Sequence, residues 1–137
     1  MVKPCNNPST DTCTSTSVEA GKELARELEQ FYGGGVIYYN PLMSLKYTEG
    51  VRYFLLKANA YWFYTDLWAI LHKIPHDTFY YVELTVKNNC GLLKITDGNS
   101  TEYHSKVYSY TDCPEGTWKF FVEGLEQDRV LLLPSEH

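Results

Sequence analysis

The polar positions of the segment from residue 48 to 73 recur at a fixed interval within an otherwise apolar and aromatic run. Arg52, Asn59, Asp66 and Lys73 are seven residues apart, and such positions stay near one face of an α-helix, drifting by about 20° per heptad. A helix with so narrow a polar stripe buries most of its surface. The pattern therefore predicts one long central helix over this segment, with these four residues forming a polar stripe.

Two shorter features precede this segment. Residues 1 to 15 are rich in Ser, Thr, Asn and Pro and cannot bury enough apolar surface to repay the entropy of ordering, so we expect a disordered tail. Apolar residues then recur at helical spacing, which predicts an amphipathic first helix over residues 17 to 32, ended by three glycines. Residues 36 to 39 and 45 to 47 are β-prone and form either a hairpin or an irregular crossing.

After Pro75 the period of the apolar positions changes from helical to alternating. The segment 79 to 87 places every second residue on one apolar face. Turn residues then separate four further β-prone runs, at residues 92 to 96, 102 to 110, 118 to 122 and 130 to 133. We predict an α+β fold in residues 16 to 137, with two helices followed by an antiparallel β-meander of four to five strands and the long aromatic helix packed on the sheet.

Composition narrows the classes of function. The chain of 137 residues has a net charge of -5 and no local basic cluster, which disfavours direct binding to nucleic acid. Charged residues interrupt the aromatic segment, so we expect no membrane span, and the polar N-terminus lacks the apolar run of a secretion signal, which predicts a cytoplasmic location. The 12 tyrosines exceed what a core of this size needs. They indicate either a partner or ligand surface or the exposed face of a sheet.

The four cysteines, Cys5, Cys13, Cys90 and Cys113, have spacings that match no zinc pattern. Free thiols are the prediction for a reducing compartment, and a disulfide or a metal role is the alternative. We predict no metal and no cofactor.

Asp66 is the sharpest single candidate for chemistry, because Tyr61 and Trp62 lie close to it in the sequence. A carboxylate held among aromatic rings has a raised pKa and can serve as an acid or base. The alternative is an Asp66 that faces solvent or pairs with a basic residue of the stripe. If the sheet covers the stripe, the stripe becomes a polar network in a pocket. The candidate binding residues are Arg52, Asn59, Asp66, Tyr61 and Trp62.

The histidines provide a weaker signal. His72 and His76 have the spacing that brings two imidazoles together on a helix, but Pro75 interrupts the helix between them. A metal site would need a third ligand from Asp66, Asp77 or His104. The simpler interpretation places His72 at a helix C-terminus, where its charge favours the helix dipole.

Six short segments follow one another in a fixed order. They are Tyr47-Thr48-Glu49-Gly50-Val51, Ala60-Tyr61-Trp62 with Asp66, Leu84-Thr85-Val86, Asp97-Gly98-Asn99, Thr111-Asp112 before Pro114, and Leu131-Leu132-Leu133-Pro134-Ser135-Glu136. This ordered set resembles an uncharacterised family of small bacterial proteins that is often carried on plasmids and phages. The resemblance covers roughly residues 38 to 136; it implies a bacterial, intracellular, mobile-element setting and nothing about activity. The segment before Gly33 has no counterpart in it.

Three functional hypotheses follow from these observations. The preferred one is a non-enzymatic binding or regulatory protein that acts through protein–protein contact and forms a homodimer through the aromatic helix, the meander edge, or both. A second is a small hydrolase or metal-dependent enzyme that uses Asp66 with His72, His76 or His104, whose side chains would have to converge in a pocket. A third is an acidic inhibitor of a nucleic-acid enzyme, with its Asp and Glu gathered on one face.

Overall fold

The computed structural model describes residues 11–31, 37–39, 43–99, 101–124 and 128–137, with side chains from residue 18 onward. A short 3₁₀ turn, Pro134–Glu136, ends the described chain. The described residues form three α-helices, α1 (Asp11–Leu28), α2 (Glu49–Lys57) and α3 (Tyr61–Leu71), and seven strands, β1 (Ile37–Tyr38), β2 (Leu45–Thr48), β3 (Phe79–Lys87), β4 (Cys90–Thr96), β5 (Glu102–Tyr108), β6 (Gly116–Glu123) and β7 (Arg129–Leu132).

The seven strands form one mixed sheet in the order β1-β2-β7-β6-β3-β4-β5. The α+β class is confirmed, whereas the continuous meander is only partly correct. Strands β3, β4 and β5 do form a meander, but β6 crosses back to pair with the other side of β3, and β7 pairs with β2 in parallel. Burial gives the reason, because β6 carries an alternating buried face suited to a central strand, while β5 is largely exposed and suits an edge.

The predicted central helix is two helices, so the prediction of one continuous helix is wrong. Asn59 lies between α2 and α3 with a φ of 53°, in the left-handed region. Its N–H donates to the carbonyl of Leu56, and the N–H of Ala60 donates to the carbonyl of Leu55 over 2.9 Å. This pair of bonds is a Schellman motif, in which Asn tolerates the left-handed position that ends a helix. The chain then starts α3 in a new direction.

Helices α2 and α3 pack on the same face of the sheet, as predicted for the aromatic segment. Phe54 of α2 and Phe63 of α3 each lie with their ring centroids 5.1 Å from that of Phe120 on β6. All three side chains are fully buried. On β3 the predicted alternation is confirmed, because Tyr80, Val82, Leu84 and Val86 are buried while the residues between them are not.

The first helix begins at Asp11 and ends at Leu28. The prediction of residues 17 to 32 therefore placed both ends of this helix too close to the C-terminus. Residues 1 to 10 of the predicted tail, and the three glycines predicted to end this helix, lie outside the described residues. The short hairpin is one of the two predicted alternatives, since Ile37 pairs with Thr48 and Tyr38 with Tyr47 in antiparallel register.

The C-terminal turn closes over the start of α2. The Glu136 carboxylate accepts hydrogen bonds from the Thr48 hydroxyl, from the Gly50 N–H over 3.1 Å and from the Leu133 N–H over 3.0 Å. A Cβ atom at Gly50 would lie 2.6 Å from Leu133 Cδ1 and 2.9 Å from the Glu136 carboxyl group. A carboxylate at a helix N-terminus satisfies N–H groups that have no partner within the helix and complements the helix dipole.

Two of the cysteines have described side chains, and they differ. Cys113 is a free thiol, 1% exposed, and burial raises its pKa to about 12, so it is unreactive at neutral pH. Cys90 is disulfide-bonded, so the prediction of free thiols is wrong for this residue. Within the described ranges, no helix is long and apolar enough to cross a membrane.

Candidate functional site

A cleft of about 350 Å³ opens between α3 and the C-terminal end of β5. We call it the α3–β5 cleft. It combines aromatic rings with carboxylates and small polar groups, which is the mixture that fixes the orientation of a ligand or of a partner's side chain. Its lining residues are Asn59, Trp62, Asp66, Tyr108, Tyr110, Thr111 and Asp112.

The helical wall of the cleft follows from the break between α2 and α3. Trp62 and Asp66 are four residues apart on α3, so their side chains lie on one face, a turn from each other. Asn59 precedes α3 in the left-handed conformation that ends α2, which brings its exposed side chain to the same mouth. The Schellman motif therefore ends α2 and also helps to form the cleft.

The strand wall of the cleft is joined to Asp66 by two hydrogen bonds. Lys106 and Tyr108 are two positions apart on β5 and so share its helix-facing side. The Tyr108 hydroxyl donates to Asp66 Oδ2 over 2.6 Å, and Lys106 Nζ donates to the same oxygen over 2.9 Å. The Trp62 ring meets the Tyr108 ring edge-on, with centroids 4.8 Å apart. These contacts fix the position of α3 relative to β5.

The floor of the cleft comes from the segment that follows β5. Thr111 is 4% exposed, its N–H donates to the Asn89 carbonyl over 2.8 Å, and its hydroxyl accepts from the Cys113 N–H over 3.1 Å. This anchoring fixes the backbone on either side of Thr111. The Tyr110 hydroxyl donates to Asp112 Oδ1 over 2.8 Å, and the Tyr110 side chain remains 68% exposed. An aromatic ring and a carboxylate are therefore presented to solvent together.

The ionisation of Asp66 differs from the sequence-based hypothesis. Burial raises the pKa of Asp66, but the hydrogen bonds from Tyr108 and Lys106 and the positive charges of Lys106 and Lys73 outweigh burial, so the pKa lies below its ordinary value. Burial and the same carboxylate raise the pKa of Tyr108. At neutral pH the pair is therefore a carboxylate and a neutral phenol, and the hypothesis of a raised Asp66 pKa suited to general acid–base catalysis is wrong.

This lowered pKa predicts how stability depends on pH. Folding depresses the Asp66 pKa below 3.8, so its stabilising contribution is complete well above that pH and disappears as the pH falls through the folded-state pKa. Since the side chain is 34% exposed, we expect Asp66→Asn to lower the free energy of unfolding by about 1 kcal/mol at pH 7. Urea unfolding at pH 7 and pH 3 tests this, and a difference between wild type and variant that grows at pH 3 would contradict it.

Three of the five candidate binding residues meet in this cleft, namely Asn59, Trp62 and Asp66. The other two face a separate aromatic group. The Arg52 guanidinium lies 5.0 Å from the ring centroid of Tyr38, and Tyr61 lies against Tyr64 with centroids 6.5 Å apart. The polar stripe is therefore not one surface, because the break at Asn59 turns α3 away from the line that an unbroken helix would follow. The positive charge of Lys73 helps to lower the pKa of Asp66.

Of the three candidate histidines, His72 contacts Trp68 of its own helix. His72 Nδ1 lies 2.8 Å from the Trp68 carbonyl, and its ring packs on Trp68, as suits a residue at the C-terminus of α3. None of the described residues that line the cleft is a histidine. In the described part of the chain, no group of three or more His, Cys, Asp or Glu side chains can hold a metal ion.

Sequence reasoning missed the β5 side of the cleft. The sequence placed Tyr108 and Tyr110 in one β-prone run, residues 102 to 110, and gave no local signal for the role of Lys106. Asp66 and Tyr108 are 42 positions apart, so only the fold brings them together. The Thr111-Asp112 segment was the one available sign, because it belongs to the segments of the resemblance.

A model of a protein family matches residues 22–137. The chain belongs to DUF6876, a family of unknown function. This match confirms the resemblance to an uncharacterised family, and it begins within α1, so the helix before Gly33 does have a partial counterpart in the family. No curated protein and no solved structure matches the chain.

Most of the segments quoted above for the resemblance fall into two groups in the structure. Thr48-Glu49-Gly50 and the C-terminal Glu136 meet at the start of α2, where they join the two ends of the domain. Asp97 accepts a hydrogen bond from the Asn99 N–H in a turn. By contrast, Trp62 and Asp66 meet Thr111-Asp112 in the cleft. The segments at the start of α2 and in the turn therefore make structural contacts, and those in the cleft provide the candidate site.

Proposed function

We propose that this protein is a non-enzymatic binding protein that acts by contacting another protein through the α3–β5 cleft and the adjoining strand β5. The single observation that carries the proposal is the convergence of aromatic rings and carboxylate side chains from two distant segments on one open cleft. Aromatic side chains provide a large contact area at low conformational cost, and Tyr and Trp are enriched at protein interfaces.

The chemistry of the cleft favours binding over catalysis. Asp66 is held as a carboxylate by Tyr108 and Lys106, so it has no proton to donate as a general acid at neutral pH, and its lowered pKa makes it a weak general base. The hydrolase or metal-enzyme hypothesis would need a histidine within reach of Asp66, and the partners of Asp66 are a lysine and a tyrosine. The acidic-inhibitor hypothesis needs Asp and Glu side chains gathered on one face, and the described lining of the cleft contains two, Asp66 and Asp112.

The partner that we propose is a second copy of the chain. Strand β5 forms one end of the sheet, so the backbone groups of its outer side have no strand partner in the described sheet. Such an edge is a template for another strand. Val107 is 65% exposed and lies beside the 37% exposed Leu92 on the face away from the helices. Apolar surface therefore flanks the edge, with the cleft on the opposite face.

The homodimer is tested by replacing an exposed tyrosine at the cleft. Size-exclusion chromatography with light scattering should give a wild-type mass of twice 15.8 kDa. Tyr110→Glu should convert this dimer to a folded monomer, because it places a charge in the buried interface. The matched control is Tyr39→Glu, since Tyr39 is 66% exposed, against 68% for Tyr110, but lies outside the cleft.

Two outcomes of this experiment would overturn the proposal in different ways. A wild-type protein that is monomeric at every concentration removes the second copy as the partner. Equal dissociation in Tyr110→Glu and Tyr39→Glu places the contact away from the cleft. Trp62→Glu is a second variant at the same site, and its near-ultraviolet circular dichroism distinguishes a folded monomer from an unfolded chain, because Trp62 packs on Tyr108.

A bacterial setting on a mobile genetic element is also part of the proposal, and it rests on the resemblance described above. The cytoplasmic location is a separate prediction, which rests on the polar N-terminal sequence. The disulfide at Cys90 weighs against a reducing compartment, because disulfides persist mainly in oxidising ones. Fractionation of a host cell, with immunodetection of the native protein in the cytoplasmic and exported fractions, tests the location.

A further inference from the structure

Arg129, the first residue of β7, is a buried charge with no charged partner among the described residues. The side chain is 3% exposed, and its Nε has no hydrogen-bond partner. One terminal nitrogen donates to the Tyr80 hydroxyl over 3.2 Å, and the guanidinium lies 5.2 Å from the centroid of the Tyr80 ring. The contacts of this cation are therefore a neutral hydroxyl and an aromatic face.

Two described carboxylates close to Arg129, those of Asp77 and Asp128, have other partners. Asp77, whose N–H donates to the same Tyr80 hydroxyl, accepts a hydrogen bond from the Tyr103 hydroxyl over 2.9 Å and from the Thr78 N–H over 2.7 Å. Asp128, the residue before Arg129, pairs with Lys46 at 3.5 Å on the surface. Across the described ranges, no carboxylate forms an ion pair with Arg129.

A guanidinium group cannot avoid the cost of a buried charge by losing its proton, because the pKa of such a group is too high. A buried charge without a counter-charge is strongly destabilising, and an unsatisfied buried donor adds to the cost. Unpaired groups of this kind in a folded protein call for an explanation, and an ion that satisfies them is one of the few available. The Nε–H and a neighbouring N–H of a guanidinium form a planar fork that matches two oxygens of a carboxylate or phosphate.

We propose that Arg129 anchors an internal binding site for a small oxyanion, a phosphate or carboxylate group, between the start of β7 and the segment that joins α3 to β3. Tyr80 holds the guanidinium in place by its ring and its hydroxyl, and this hydroxyl is itself fixed by donating to the Pro75 carbonyl over 2.7 Å. The unpaired Nε–H donates a hydrogen bond to an oxygen of the bound anion. The site is separate from the α3–β5 cleft, so its test does not depend on the proposed function.

The experiment compares thermal unfolding of wild type and Arg129→Met in sodium phosphate, in sodium acetate and in sodium chloride at equal ionic strength. Phosphate stabilises most proteins weakly by exclusion from their surface, and the variant measures that general effect. We expect saturating phosphate or acetate to raise the wild-type midpoint by about 5 °C more than that of Arg129→Met. A response to phosphate alone identifies a phosphate site, and a response to acetate alone identifies a carboxylate site.

The shape of the response provides a second, independent readout on the wild type alone. Binding at one site saturates with anion concentration, whereas surface exclusion rises without saturation, so a linear response would overturn the proposal even if Arg129→Met does not fold. Equal shifts in wild type and Arg129→Met would overturn it as well. Arg129→Lys retains the charge but loses the planar fork, and we expect it to retain less than half of the specific shift.

Discussion

Replacing Gly21 by alanine should destabilise the protein by about 2 to 3 kcal/mol, although the same change inside a helix ordinarily stabilises by about 1 kcal/mol. A Cβ atom at this position of α1 would lie 1.9 Å from the backbone carbonyl oxygen of Glu115. Because a backbone atom cannot move aside as the end of a side chain can, α1 would have to shift away from the segment before β6. Urea unfolding monitored by far-ultraviolet circular dichroism measures the change.

The control for Gly21→Ala is Ala20→Gly, at the neighbouring exposed position of the same helix. This substitution changes helix propensity alone and should cost about 1 kcal/mol. The close approach at Gly21 therefore predicts that both opposite substitutions destabilise. A Gly21→Ala protein more stable than wild type would show that α1 does not pack this closely against the Glu115 carbonyl.

Replacing Glu136 by alanine should lower the free energy of unfolding by about 2 to 4 kcal/mol. Its carboxylate accepts from the Thr48 hydroxyl and from the N–H groups of Gly50 and Leu133, so its loss removes three charge-assisted hydrogen bonds together and uncaps the start of α2. Glu136→Gln keeps the shape but exchanges one acceptor for a donor, and should fall between wild type and Glu136→Ala. Urea unfolding at pH 7 tests the order.

Ser135→Ala is the matched control for Glu136, since Ser135 is exposed in the same 3₁₀ turn. We expect this change to stay within about 0.5 kcal/mol of wild type. A Glu136→Ala protein with wild-type stability would mean that the C-terminal turn does not hold α2. The same result would remove the structural role described above for these two segments.

The proposed binding function and the proposed anion site depend on different parts of the fold. The cleft contains Trp62, Asp66 and Tyr108 at the β5 end of the sheet, whereas Arg129 lies on β7, separated from β5 by three strands in the sheet order. A monomeric protein that binds phosphate would reject the homodimer and keep the anion site. A dimer that responds equally to phosphate in wild type and Arg129→Met would do the reverse.

Local sequence patterns predicted several elements closely. The alternation over residues 79 to 87 matches β3 residue for residue, because one face of that strand is covered by helices and the other is not. The same kind of reasoning failed at Asn59. The sequence around Asn59 is consistent with one long helix that carries a seven-residue polar repeat, and equally with a helix that ends at an Asn. The hydrogen bonds of the Schellman motif, which distinguish the two structures, form only in the folded chain.

The candidate site was predicted in part, for the same reason. Asn59, Trp62 and Asp66 lie within eight residues of one another, so a local pattern of polar and aromatic residues could single them out. The β5 partners could not be found in this way, because Tyr108 and Lys106 contact Asp66 across 42 and 40 positions. These same contacts reversed the expected direction of the Asp66 pKa, since they supply the hydrogen bonds and the charge that favour the carboxylate.

By itself, the sequence determined the α+β class, the alternating face of β3 and the apolar character of the segment that becomes α2 and α3, because hydrophobic periodicity is a property of neighbouring residues. Only the tertiary structure decided the strand order, the parallel pairing of β2 with β7, the cleft, and the burial of Arg129 with an unpaired Nε. Each of these features depends on which distant segments pack together, and no local period contains that information.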